Sequence, residues 1–70
     1  MKKDIRIHDE YITLGQLLKI ADLVSTGGEE KYFLATNTVI VNDCPDNRRG
    51  RKLRAGDVIK IQGNEYTICQ

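Results

Sequence analysis

Two helix starts separated by a glycine pair constrain this chain more than any other feature. Thr13-Leu14-Gly15-Gln16 has the spacing of a capping box, in which the Thr13 hydroxyl accepts from the amide three residues on and Gln16 reaches back. Apolar residues then recur at Leu14, Leu17, Leu18, Ala21 and Val24, with Ile20 widening the stripe. This is one face of an amphipathic helix, predicted over about residues 14–24. Ser25-Thr26-Gly27-Gly28 breaks the pattern, and Thr26 with Glu29 forms a second capping-box signal at once. The second helix carries Tyr32, Phe33, Leu34 and Ala35. It is expected to stop near Asn37, because asparagine tolerates the left-handed conformation a helix end often needs. Two short helices across such a turn make a helix-turn-helix-like pair.

The rest reads as strands. Lys3–Ile7 alternates, with Ile5 and Ile7 on one side. Val39-Ile40-Val41 is β-branched throughout, Asn42-Asp43 forms a turn, and Pro45-Asp46-Asn47 adds a further break. Ala55-Gly56-Asp57 turns into the strand Val58–Ile61, and Gly63-Asn64 turns into Tyr66–Cys69 as a hairpin. The expected fold class is α+β: two helices packed on a small, mostly antiparallel sheet. At 70 residues the chain is one domain spanning 1–70, with a small core and no room for a deep catalytic pocket.

The formal net charge of +1 conceals a split. Residues 1–47 hold five basic and eight acidic side chains, a balance of −3. Residues 48–70 hold six and two, a balance of +4. Such asymmetry points to an anionic partner. No apolar stretch follows Lys2 and Lys3 that could serve as a signal peptide, and no window approaches a membrane span. A cytoplasmic location is therefore expected. Cys44 and Cys69, with His8, lack the paired spacing of a metal site, so reduced thiols and no metal or cofactor are expected.

The segment Arg48-Arg49-Gly50-Arg51-Lys52-Leu53-Arg54 is the most informative. Five like charges held on a small surface repel one another unless an anion joins them. Arginine pairs its planar fork with phosphate oxygens and stacks on bases. Gly50 suggests a bend in the run, and Leu53 belongs to the core. The competing reading of this segment is a solvated loop. Attraction to an anionic membrane lacks an adjacent apolar face. The start of the second helix is the other candidate. Its free amides and dipole favour phosphate, Gly27 and Gly28 allow close approach, and Lys31 adds charge. Glu30 opposes this unless it points aside. Tyr32 is a better stacking candidate than Tyr66, because Tyr32, Phe33 and Leu34 cannot all face inward. No nucleophile, base and stabiliser can be nominated together, so no enzyme and no small-molecule substrate is expected.

With these residues in place, Thr13–Ile61 resembles the S-four RNA-binding domain, an αL-type module. The resemblance rests on the leucine-rich first helix, the Ser25–Gly28 turn, the Val-x-Val-Asn signature at Val39–Asn42, and the Gly56-Asp57-Val58-Ile59 strand entry. The turn and the Arg-Arg-Gly-Arg-Lys-Leu run look most like the stand-alone bacterial members of YaaA type. The resemblance implies a ribosome-associated module that binds structured ribosomal or transfer RNA, and a monomer is expected. The contacts it implies are Thr26, Gly27, Gly28, Lys31, Arg48, Arg49, Arg51, Lys52 and Arg54. Gly27 and Glu30 stand where many such domains carry an arginine and a small residue. This moves positive charge from the second helix to residues 48–54. Asn37 and Asp43 replace customary glycines at the helix stop and the hairpin. The rival expectation is a protein–protein adaptor docking on a ribosomal or other nucleic-acid-associated partner, with the basic run meeting acidic side chains.

Overall fold

A computed structural model describes residues 1–70. In chain order the elements are β1 (Lys2–Arg6), β2 (Ile12–Thr13), α1 (Leu14–Ile20), α2 (Gly27–Thr36), β3 (Val39–Val41), β4 (Cys44–Pro45), β5 (Lys52–Leu53), β6 (Val58–Ile61) and β7 (Asn64–Cys69). Five strands form one sheet in the order β1-β7-β6-β3-β4, and β2 pairs with β5 in a separate two-stranded ribbon. Every pair is antiparallel except β1 with β7. The α+β class, with two helices on a mostly antiparallel sheet, is thus observed. No helix is long and apolar enough to cross a membrane.

Register aligns the apolar residues. Val41 lies opposite Ile59, Ile59 opposite Tyr66, Val39 opposite Ile61, and Ile5 opposite Ile68. Because side chains alternate across a strand, these residues share one face. Leu14, Leu17, Leu18, Phe33 and Leu34 from the helices and Leu53 from β5 join them in a single buried cluster.

Several sequence expectations need correction. The first strand begins at Lys2 and ends at Arg6, although Ile7 still donates its amide to the Cys69 carbonyl. Helix α1 ends at Ile20, not Val24, because Asp22 adopts φ 61°. The Leu23 amide then donates to the Leu18 carbonyl and the Asp22 amide to Lys19, which is a Schellman stop with an aspartate in the left-handed position. Val24 stays buried although it lies beyond the helix, so the apolar stripe outruns the helical backbone. Ile20, expected to widen the stripe, is instead exposed. Helix α2 stops at Asn37 as expected, but by another device. Asn37 is extended (φ −130°), and its amide and side-chain Nδ2 both donate to the Phe33 carbonyl. The β6–β7 turn is Gln62-Gly63 rather than Gly63-Asn64. Both residues have positive φ, and Asn64 already pairs with Ile61. The capping box at Thr13–Gln16 is complete. At Thr26–Glu29 only the Thr26 half accepts a backbone amide.

Candidate nucleic-acid interface

The basic run is strapped to the start of α1. The first amides of a helix have no partner within it. Here the Leu14 amide donates to the Arg51 carbonyl (2.8 Å) and the Gly15 amide to the Arg49 carbonyl (2.9 Å). Arg51 in turn donates to Arg48 across a turn centred on Arg49 and Gly50. Lys52 and Leu53 then pair with Thr13 and Ile12, with Leu53 fully buried. The run is therefore a loop fixed by its backbone carbonyls and by buried Leu53, with its basic side chains turned outward.

Those side chains divide between two grooves. Arg48, Gly50, Arg51, Lys52, Arg54 and Asp57 line an open concavity of about 620 Å³. Arg49 points elsewhere, lining a second groove with Lys31, Leu34, Ala35 and Asn47. Its Nη1 reaches the Gly27 carbonyl at 3.5 Å. The structure thus brings Arg48, Arg51, Lys52 and Arg54 together, and places Arg49 with Lys31 beside α2.

The start of α2 keeps free donors. Thr26 accepts from the Glu29 amide at 3.3 Å, and Glu30 donates its amide to the Thr26 carbonyl. The Gly27 and Gly28 amides have no partner in the chain. Glu30 does not face them. It is buried, paired with Lys19 at 3.2 Å, and lies over Gly15, where an added Cβ would collide with its carboxylate. A glycine in α1 is what admits this side chain between the helices. Tyr32 is 72% exposed, whereas Tyr66 lies in the core.

The two carboxylates near the concavity are occupied. Asp57 accepts from the Arg54 amide (2.8 Å) and from Asn42 Nδ2 (3.0 Å). Asn42 Oδ1 accepts from the Val58 amide. Asp46 accepts from the Arg48 amide and Nε at Oδ1, and from Arg48 Nη2 and Arg51 Nη1 at Oδ2. The side-chain hydrogen bonds from Arg48 pull the Asp46 carboxyl down to about 2 against the opposing effect of burial. The Arg48 amide and the charges of Arg48 and Arg51 add to that pull. Pairing with Asp46 raises the Arg48 guanidinium in turn.

Tyr11, one residue before β2, escaped the sequence reading. Lys52 Nζ lies 5.0 Å from its ring centroid and Arg54 Cζ lies 5.5 Å from it. The sequence offers there only an aromatic residue two positions before the Thr13 capping box, and its meeting with the basic run follows from the β2–β5 pairing.

The S4 domain family model matches residues 5–69. The chain belongs to the S4 domain family. The match is wider than the resemblance over 13–61, and it takes in the end of β1 and all of β7. The probable ribosome maturation protein RlbA of Bacillus subtilis (strain 168) is 57% identical over 63 residues, spanning 90% of this chain and 89% of that protein. No solved structure matches. In this S4 domain the Val-x-Val-Asn and Gly-Asp signatures meet physically: Asn42 and Asp57 hydrogen-bond to one another and fix the β5–β6 turn.

Proposed function

We propose that this S4 domain is a non-catalytic RNA-binding module. It engages structured ribosomal RNA, in preference to transfer RNA, through the basic loop and the N-terminus of α2. It acts as a monomer in the cytoplasm, during ribosome assembly. The observation that carries this reading is the open concavity bearing Arg48, Arg51, Lys52 and Arg54, in which Asp46 pairs with two of the four cations and Asp57 is engaged by the Arg54 amide and Asn42. Guanidinium groups in this setting suit phosphate oxygens. The free Gly27 and Gly28 amides beside Lys31 and Arg49 suit a further phosphate. Phosphate contacts position a protein without reading sequence, so discrimination rests on RNA shape, 2′-hydroxyls and unstacked bases. The ribosome-maturation name of the Bacillus relative supports ribosomal over transfer RNA.

The test is titration of the protein with purified ribosomal RNA and, separately, with total transfer RNA. Arg48→Ala combined with Arg49→Ala removes one cation from each groove. It is expected to weaken ribosomal RNA binding by at least about tenfold while leaving circular dichroism unchanged. Equal affinity for transfer RNA would remove the ribosomal assignment. Binding untouched by the double substitution would place the interface on another face.

A further inference from the structure

We propose that Tyr11 is a positioning residue of the RNA-binding concavity, its ring holding Lys52 and Arg54 in the geometry that receives phosphate. The inference rests on the RNA-binding reading and adds to it a residue outside the basic run. Four cations line the concavity, and each has a restraint. Arg48 and Arg51 are tied to Asp46, Arg48 through a two-point contact at 3.1 and 2.8 Å and Arg51 at 3.3 Å. Lys52 and Arg54 form no salt bridge or side-chain hydrogen bond. Their restraint is Tyr11, with the ammonium at 5.0 Å and the guanidinium at 5.5 Å from the ring centroid, both within cation–π range.

The placement follows from register. Lys52 pairs with Thr13 across the β2–β5 ribbon, so Tyr11, two residues before Thr13, lies alongside the end of the run. Arg54 follows Leu53, whose burial anchors this end of the loop. A ring is suited to this position in a way that a carboxylate is not. It restrains two flexible cations without neutralising them, so both charges remain available to phosphate. Asp46 on the other side of the loop does spend its charge on its arginines. Ordering a long side chain at an interface is costly, and a side chain ordered beforehand lowers that cost.

The test has two parts. In the free wild-type protein, NMR should show the Lys52 ε-methylene and Arg54 δ-methylene protons displaced by the ring current relative to Tyr11→Leu, with Tyr11→Phe keeping the displacement. Ribosomal RNA titration should then give Tyr11→Phe within about twofold of wild type and Tyr11→Leu weaker by about three- to tenfold. Loss of binding that tracked only loss of melting temperature, with Tyr11→Phe failing alongside Tyr11→Leu, would mark Tyr11 as structural and overturn the proposal. So would wild-type methylene shifts that sit at their random-coil positions, a measurement that does not depend on any variant folding. If Tyr11→Leu binds as wild type does while Arg48→Ala with Arg49→Ala loses binding, the inference fails and the RNA reading stands. A wild-type protein that binds no RNA overturns both.

Discussion

Asp46 receives four hydrogen bonds from two arginines, and its carboxyl is held near 2 as a result. Its ordinary value is 3.8, so the folded state binds this proton less readily than the unfolded chain. The stabilisation is complete above about pH 4 and disappears as pH falls through about 2. Because Arg48 is largely exposed, its magnitude is on the order of 1–2 kcal/mol. Asp46→Asn should therefore cost about that much at neutral pH, and the difference from wild type should vanish below about pH 2. Urea unfolding of both proteins from neutral to strongly acidic pH measures it. A pH-independent difference would mean that the contact is geometric rather than ionic. The residue scale also shows what a sequence can carry. The Thr13–Gln16 box and the outward Tyr32 follow from positions a few residues apart, and both were legible. The burial of Glu30 depends on Gly15 in another helix, and the role of Tyr11 depends on strand register. Neither relation is local.

Elements in this fold stop where a side chain or a left-handed residue stops them. The stripe from Leu14 to Val24 is apolar at helical spacing, yet Asp22 ends the helix and Val24 reaches the core from irregular backbone. Periodicity reports burial, and here burial outlasts the helix. The β3–β4 hairpin turns on Asn42 and Asp43, with φ of 50° and 70°. These match the primed turn that two-residue hairpins favour. Asn42 does a second task, since its amide group bridges Asp57 and the Val58 amide and so ties the hairpin to the β5–β6 turn. Asn42→Ala removes both hydrogen bonds and leaves a β-carbon in a left-handed position, for an expected loss of about 2–3 kcal/mol. Asn42→Gly removes only the hydrogen bonds and should lose about 1–2 kcal/mol. Denaturant unfolding of the pair separates the two effects. Equal losses would show that the hydrogen bonds carry the whole role. Because this turn follows Arg54, the Ala variant should also loosen the end of the basic run.

At the scale of the whole molecule, chain pairing across long separations is what the sequence could not disclose. Alternation along β6 and β7 announced a hairpin, but nothing local announced that β1 would add to β7 in parallel, or that β2 would pair with β5. The second pairing gives the basic run its shape. It also changes what the charge count means for binding. The chain as a whole carries only +1, so the long-range field is weak, and on the proposed RNA-binding role the local cluster would govern association. Five cations on the run would give a logarithmic salt slope of roughly −3.5 to −4.5 if all met phosphate. Asp46 offsets one of those charges from a position that its arginines cannot leave without cost. The effective number is then about four, and the expected slope for ribosomal RNA is roughly −2.8 to −3.6. Asp46→Asn should steepen that slope by about 0.7–0.9 and raise affinity at low salt, even as it lowers stability. The measurement is a set of titrations between roughly 50 and 200 mM salt on both proteins. A steeper slope with tighter binding would make Asp46 a brake on non-specific attraction as well as an anchor. A flatter slope with weaker binding would mean that the anchoring of Arg48 and Arg51 matters more to RNA than the charge they give up to it.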